Sequence, residues 1–423
     1  MKRQMENSYS YQMLEALEKE DLVQAQLAFN EALTKDDDDT LAQLANQLFQ
    51  MGFLEEPQEI FTRLLEKYPG NEELLLALAE IAMEDNRIDD AFEFIEGVPK
   101  DSDYYPQALL LSADLYQMLQ IPEVSEAKLE EAAKILPDEP LIQFALGELY
   151  YTTDRFSEAA TIYQILLNSN IDQLGGISME ERLGMALSME GKFEEAIPHL
   201  ETALKNSDSD DLLFHTAFVY LQLKENQQAI NYLQQLQALN PHYQSVYLYL
   251  AEALQEEELL EEAQETIEAG ISENPYQVDF YQFASENAYR LHDVKKAEEF
   301  LQKALETGEK IDETLFMLSN LYLKEADYEA VIDTIQQMEN PDDAFAQWNL
   351  AHAYNQLEEF AEAAVHYQQA NIELNHEPEF MKEYGIFLRD EGRRDEALHI
   401  LTHYLEHEPG DLEVQSIIEA LQQ

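Results

Sequence analysis

The stretch Pro140–Leu167, PLIQFALGELYYTTDRFSEAATIYQILL, decides the fold of this chain. Its first half places Leu146, Gly147 and Tyr150 at helical spacing, and a polar break at residues 152–155 interrupts the pattern. Its second half carries a further apolar stripe with a period of about 3.6 residues, the spacing of one helix face. The stretch therefore predicts a helix, a turn and a second helix.

A small residue returns along nearly the whole chain at intervals of 32 to 37 residues, most of them 34. These small residues are Ala45, Ala79, Ala113, Gly147, Gly184, Ala217, Ala251, Ser285, Ser319, Ala351 and Gly385. A second series of mostly small residues lies twelve positions after the first, and a series of large apolar residues lies sixteen positions after it. Such a period marks one repeated supersecondary unit, which buries its apolar face only by stacking on its neighbours. Small residues where two helices face each other let their backbones approach closely.

The period and the residue pattern resemble the tetratricopeptide repeat family. The family signature is visible in the unit that contains Leu350, Ala351, Tyr354, Ala363 and Tyr367. Twelve such units begin near residues 6, 38, 72, 106, 140, 177, 210, 244, 278, 312, 344 and 378. The resemblance implies an all-α fold, an α-α superhelical solenoid of about twelve helix-turn-helix repeats with a C-terminal capping helix. The chain also resembles tetratricopeptide proteins of Gram-positive bacteria.

The repeat pattern divides the chain into five segments. They are a degenerate first repeat (1–37), repeats two to five (38–167), an insertion loop (168–176), repeats six to twelve (177–410) and a capping helix (411–423). The first repeat is degenerate because Met13 stands where the small residue is expected. A capping helix is expected because the last repeat of a solenoid would otherwise expose its apolar face.

The net charge of the chain is extreme. Lys and Arg number 25 against 87 Asp and Glu, which gives −62. Such a surface repels nucleic acid phosphates and anionic lipids, and it attracts basic partners with a strong dependence on salt. Acidic surfaces also keep long exposed arrays in solution, so the charge by itself does not define a site.

The sequence carries no signature of an enzyme. It has no cysteine, no Gly-rich phosphate loop, no nucleophile elbow and no zinc-binding His-Glu-x-x-His helix. We therefore expect no catalysis, no cofactor and no metal. Residues 1–13 lack the apolar core of a signal peptide, and no stretch is apolar enough to insert into a membrane, so we expect a cytoplasmic protein.

Two clusters resemble metal sites in composition. Asp36–Asp39 lacks the spaced oxygen ligands and the glycine of a calcium loop, and it is predicted to be a solvated linker that caps a helix. His399, His403 and His407 share one face of a predicted second helix. No further ligand accompanies them, so we interpret them as an exposed stripe.

In the tetratricopeptide family, the first helix of each unit lines a concave surface through the positions three before and one after the small residue. The resemblance implies the same use here. In the third to eleventh units, seven of the nine earlier positions are apolar, and the later positions are rich in carboxylates. With Tyr151 added from further along its helix, the predicted partner-binding residues are Leu76, Glu80, Leu110, Asp114, Phe144, Glu148, Tyr151, Phe214, Phe218, Leu248, Glu252, Glu286, Phe316 and Trp348. The alternative is that the apolar positions pack between neighbouring first helices.

An apolar groove lined by carboxylates suits a partner segment that is both hydrophobic and basic. The sequence therefore favours a non-enzymatic, cytoplasmic scaffold or adaptor that binds a protein or peptide, with no nucleic acid partner and no membrane insertion. Two alternatives stay open. One is a regulatory sensor that responds to a peptide, and the other is an acidic holdase or decoy for basic proteins.

Overall fold

The computed structural model of the protein describes residues 8–207 and 209–422. Over these residues the chain forms 25 α-helices and one short hairpin, β1 (Gln173–Leu174) with β2 (Ile177–Ser178). The fold is therefore all-α, as the repeat pattern predicts. The chain divides into two compact units, residues 1–208 and 209–423, each of which is described by itself.

The first unit contains twelve helices. They are α1 (Tyr9–Glu18), α2 (Leu22–Lys35), α3 (Asp38–Gln50), α4 (Glu55–Lys67), α5 (Glu72–Glu84), α6 (Ile88–Glu96), α7 (Tyr105–Met118), α8 (Pro122–Ile135), α9 (Pro140–Thr152), α10 (Phe156–Asn168), α11 (Met179–Met189) and α12 (Phe193–Leu204). The hairpin lies between α10 and α11, where the repeat pattern predicts an insertion loop.

The second unit contains thirteen helices. They are α13 (Asp210–Gln222), α14 (Asn226–Leu239), α15 (Ser245–Glu256), α16 (Leu260–Glu273), α17 (Val278–Arg290), α18 (Val294–Glu306), α19 (Ile311–Lys324), α20 (Tyr328–Ile335), α21 (Ala344–Gln356), α22 (Phe360–Leu374), α23 (Pro378–Asp390), α24 (Arg394–His407) and α25 (Leu412–Gln422). The last of these packs on α24, with Val414 and Ile418 buried in a shared apolar cluster.

Odd-numbered helices from α1 to α23 are the first helices of the repeats, and even-numbered helices up to α24 are the second. Each first helix packs against the second helix of its own repeat. Helix starts depend on local chemistry: Asp37, for example, caps α3 by accepting a hydrogen bond from the Thr40 amide at 2.8 Å. This confirms the predicted cap, but Asp38 and Asp39 form the first turn of α3, so the prediction that the whole acidic run is a linker is wrong. The run is also bound to its surroundings, since Asp36 accepts a hydrogen bond from the Ser10 amide at 2.7 Å.

The core follows the period of the sequence. Every member of the three residue series is buried, from the glycines and alanines of the first series to the large apolar residues of the third. The contact between the series is direct: a Cβ atom at Gly147 would lie 2.9 Å from Tyr163 Cε1, sixteen positions later. The equivalent Cβ at Gly184 would lie 2.7 Å from Leu200 Cδ2. Each repeat therefore closes on its own small residue, in agreement with the repeat phase predicted from the sequence.

None of the helices within the described ranges is both long enough and apolar enough to cross a membrane.

Candidate functional site

The candidate site is the surface formed by the first helices of consecutive repeats, which we call the first-helix face. Several consecutive first helices touch one another, for example α5 with α7 in the first unit and α15 with α17 in the second. Side chains three before and one after the small residue are thereby placed side by side. The two units carry different versions of this face.

In the first unit, the apolar positions of this face are only partly open. Leu76 is 2% exposed and belongs to the core, so it is removed from the set of partner contacts. Leu110, Phe144 and Tyr151 are half-buried. The ring of Phe144 lies 6.5 Å from the ring of buried Tyr163, so one side of it is used for packing. In the first unit, these apolar side chains are therefore exposed only in part and do not form an open apolar groove.

Glu148 is the centre of an internal network in the first unit. Its carboxylate accepts two hydrogen bonds from Arg182, at 2.8 and 2.9 Å, and one from the Tyr163 hydroxyl at 2.6 Å. Burial, together with this last hydrogen bond, raises the pKa of Tyr163. The Arg182 guanidinium also lies 5.9 Å from the centre of the Tyr151 ring. The charge of Glu148 is thus balanced within the chain and is not available to a basic partner.

Replacing Glu148 by Gln should destabilise the first unit. Gln can still accept a hydrogen bond from Tyr163, but it gives up the bidentate ion pair with a partly buried Arg182. We expect a loss of about 1–3 kcal/mol in the free energy of unfolding, measured by urea denaturation. Glu265→Gln, on an exposed site without an ion pair among the described residues, is the control for loss of charge. Equal stability of the two variants would show that the pair with Arg182 contributes no more than a surface salt bridge.

Glu80 and Asp114 occupy the position of Glu148 in two earlier repeats, on α5 and α7. Neither carboxylate has an ion-pair partner in the part of the chain that the structure describes. Burial and the charge of Asp114 raise the pKa of Glu80, and burial raises the pKa of Asp114. Asp114 nevertheless stays exposed to solvent. These two carboxylates keep the unpaired acidic character that the sequence predicts for the groove.

In the second unit, Phe214, Phe218, Leu248, Phe316 and Trp348 are all half-buried. The ring of Phe214 lies 5.3 Å from Tyr243 and 5.2 Å from Tyr249. The ring of Trp348 meets buried Phe380 edge-on at 5.6 Å. Phe214 and Trp348 therefore pack on part of their surface and leave part of it open. This lies between the two alternatives from the sequence, an exposed apolar groove and apolar positions packed between neighbouring first helices.

A cleft of about 630 Å³ opens between α13, α15 and α17. We call it the aromatic–acidic cleft. It is lined by Phe218, Leu221, Gln222, Lys224, Asn226, Tyr249, Glu252, Ala253, Gln255, Glu256, Phe283 and Glu286. Phe218 and Tyr249 stand edge to face, with ring centres 6.5 Å apart. The cleft thus combines three aromatic side chains with the carboxylates of Glu252 and Glu286.

Glu252 and Glu286 reach solvent and have no ion-pair partner among the residues that the structure describes. Partial burial by the surrounding protein raises the pKa of Glu252, and the charge of Glu286 raises it further. Two like charges beside apolar rings are mutually unfavourable, and a bound cation would relieve them. The cleft therefore presents two carboxylates that lack ion-pair partners among the described residues, beside apolar rings, and this combination suits a cationic ligand.

Phe218, Glu252 and Glu286 were predicted from the sequence, but Tyr249 and Phe283, which complete the cleft, were not. Both lie two positions before the small residue of their repeat, a position that the family resemblance does not assign to the groove. A signal was present, because each precedes a carboxylate by three residues on the same helix face.

The relative pKa values of Glu252 and Glu396 test the description of the cleft around Glu252. Glu252 should take up a proton at higher pH than Glu396, whose pKa is lowered by its ion pair with Arg393. The folded state binds the Glu252 proton more tightly than the unfolded state does, so ionised Glu252 costs stability at neutral pH. That cost disappears as the pH falls through the raised pKa towards the ordinary value of a glutamate. Carboxyl carbon NMR titration measures both groups, and identical midpoints would contradict the description of the cleft.

Within the described ranges, no group of three or more histidine or acidic side chains is arranged to hold a metal ion. His403 and His407 do lie close, with ring centres 5.3 Å apart. Asp38, in the acidic run, is bound by Lys67 and by the Tyr68 hydroxyl.

Comparison with known proteins identifies the class. Models of tetratricopeptide repeats match residues 48–115, 182–243 and 220–282, and models of YpiA-like tetratricopeptide repeats match residues 117–171 and, for the C-terminal repeats, 345–411. The chain belongs to the tetratricopeptide repeat family. Among particular members, it is similar to the TPR repeat-containing protein YpiA of Bacillus subtilis (strain 168), with 33% identity over 385 residues that cover 90% of each chain.

Solved structures with a related helical repeat are more distant. The Cut9–Hcn1 hetero-tetramer of APC/C matches with a TM-score of 0.42 and 12% identity over 98% of this chain and 95% of the matched chain. The C-terminal part of a TPR repeat-containing protein from Cytophaga hutchinsonii matches with a TM-score of 0.48 and 16% identity, over 57% of this chain and 98% of that one. Neither likeness transfers a partner.

Proposed function

We propose that this repeat scaffold is a non-enzymatic, cytoplasmic adaptor whose first-helix face binds a hydrophobic and basic segment of a partner protein. The observation that carries the proposal is the aromatic–acidic cleft. Half-buried rings stand there beside two carboxylates that lack partners among the described residues. Scaffolds of this family bind proteins through their repeats. The cleft supplies aromatic and acidic side chains that would contact the apolar and basic residues of such a partner.

Apolar contact and charge have separate parts in this proposal. Aromatic side chains such as Phe214 and Trp348 are partly open and can anchor a partner at low entropic cost. The excess of acidic residues, −62 overall, speeds the encounter with basic proteins. A holdase or decoy that works by charge alone would have no need of the half-buried rings, so we rank it second. A peptide-responsive sensor would use the same cleft and differs only in the conformational response that the bound peptide would trigger.

Peptide selection on the full-length protein tests the proposal. A random library of 12-residue peptides displayed on phage would be selected on the immobilised chain and, in parallel, on a variant that combines Phe214→Ser with Trp348→Ser. We expect the wild-type chain to enrich peptides that carry both apolar and basic residues, and the variant to lose them. Failure to enrich any peptide, or equal enrichment by both proteins, would overturn the proposal.

The charge of the first-helix face should govern the rate of binding. Reversing Glu80, Asp114 and Glu252 to Lys should slow association of a selected peptide about tenfold at low salt and flatten its salt dependence. Glu148, which was predicted to belong with them, is left unchanged because it is paired with Arg182. Stopped-flow fluorescence at several salt concentrations measures the effect.

A matched control reverses three exposed acidic residues on second helices of the same repeats, Glu93, Glu130 and Glu262. It changes the net charge equally but leaves the first-helix face intact. An equal slowing in both triple variants would favour an acidic holdase or decoy, since only total charge would then matter.

A further inference from the structure

We propose that the aromatic–acidic cleft binds one cationic side chain of the partner, an Arg or Lys next to an apolar residue. The cationic group of this side chain lies between the carboxylates of Glu252 and Glu286. This inference rests on the proposed function and names the chemistry that the cleft selects.

The first unit already contains such a cation, supplied by the chain itself. Arg182 joins Glu148 by two hydrogen bonds and lies over Tyr151, which is three residues further along the same helix as Glu148. In this repeat, a carboxylate one position after the small residue and an aromatic ring one helical turn away together contact a guanidinium. Arg155 is held in a similar way, 4.2 Å from the Tyr150 ring and 2.8 Å from Glu126.

The second unit has a related arrangement without the cation, with the aromatic ring on the other side of the carboxylate along the helix. Glu252 stands at the Glu148 position of its repeat, and Tyr249 lies one helical turn before it. The position that supplies Arg182, two before the small residue of the following repeat, is occupied by Phe283. For Glu286 the corresponding position is Met317. Apolar side chains therefore stand at the positions equivalent to Arg182, so a cation held in the same way would come from a partner.

The surroundings of the cleft agree with this assignment. Among the described residues neither Glu252 nor Glu286 is paired, and Lys224 lines one edge of the cleft without an ion pair to either. Partial burial and mutual repulsion raise the pKa of Glu252, so a cation between the two carboxylates would be favoured over an empty cleft. The rings of Phe218, Tyr249 and Phe283 offer faces for a cation and contact for an apolar neighbour.

The experiment compares four full-length proteins in the same selection of 12-residue peptides. They are the wild type, a cleft variant with Glu252→Gln and Glu286→Gln, a second variant with Phe283→Arg, and a control with Glu262→Gln and Glu265→Gln on the exposed face of α16. Phe283→Arg places a cation of the chain itself where Arg182 stands in the first unit. The control removes the same charge as the cleft variant.

We expect the wild type and the control to enrich peptides with Arg or Lys at one fixed position beside an apolar residue. Changing that residue to norleucine should weaken binding to the wild type about tenfold. Both cleft variants should bind the original and the norleucine peptide within about twofold of each other, because the need for the cation is removed or already met. Circular dichroism establishes that each variant is folded.

A preference for the cation that survives in both cleft variants would overturn the inference. So would wild-type peptides that have no fixed cationic position but are lost with Phe214→Ser and Trp348→Ser; the proposed function would then stand. If no peptide is enriched on the wild type, both the inference and the proposed function fail.

Discussion

Gly147→Leu is expected to lower the stability of the first unit by about 3 kcal/mol, at the upper end of the cost of overpacking a core. A Cβ at this position would lie 2.9 Å from Tyr163 Cε1 and 3.2 Å from Ile162 Cγ2, before the rest of the leucine is added. Tyr163 cannot move aside freely, because it is fully buried and its hydroxyl donates to Glu148. The substitution therefore separates α9 from α10.

Urea denaturation and hydrogen exchange measure this effect. Exchange should speed up first in α9, α10 and the repeats that touch them, because each repeat is stabilised by its neighbours. Gly410→Leu is the matched control, since a Cβ there would meet no atom within 4 Å and its backbone is outside the left-handed region. We expect the control to stay within about 0.5 kcal/mol of the wild type. Equal unfolding of both variants would contradict the assigned contact between Gly147 and Tyr163.

The fold could be predicted from the sequence because its contacts are local. The partner of each small residue lies sixteen positions later in the same repeat, as Gly147 with Tyr163 and Gly385 with Leu401 show. Helix geometry and a fixed period then place every such contact once one of them is known. The hairpin at residues 173–178 was not foreseen, because it interrupts the period and carries no hydrophobic alternation of its own.

The site could be predicted only in part, because equivalent positions differ in their neighbours. Leu76 and Leu248 occupy the same place in their repeats, yet Leu76 is buried in the core and Leu248 is half-buried. The pairing of Glu148 with Arg182 joins residues 34 positions apart. With 87 acidic residues in the chain, composition and spacing could not show which carboxylates are paired within the chain.

Phe214→Ser and Trp348→Ser should each weaken the binding of a selected peptide by about 2 kcal/mol or more, as expected for aromatic anchors. The packing of Phe214 on Tyr243 and Tyr249, and of Trp348 on Phe380, leads us to expect a loss of about 1–2 kcal/mol in stability as well, less than for a fully buried ring. Binding must therefore be measured by calorimetry under conditions where each variant is fully folded.

Phe360→Ser is the control for these variants. It shows whether peptide affinity falls because a ring on the first-helix face is lost or because any exposed ring is lost. Phe360 is 43% exposed at the start of α22, a second helix, so its removal should leave peptide affinity unchanged. Phe214→Leu gives a further comparison, because leucine keeps part of the packing on Tyr243 but offers no aromatic face. If the serine variants lose stability while their folded fraction binds peptide with wild-type affinity, the rings serve the core alone and the first-helix face is not the binding site. Lost affinity in the folded serine variants, with Phe214→Leu intermediate and Phe360→Ser unaffected, would place the partner on that face.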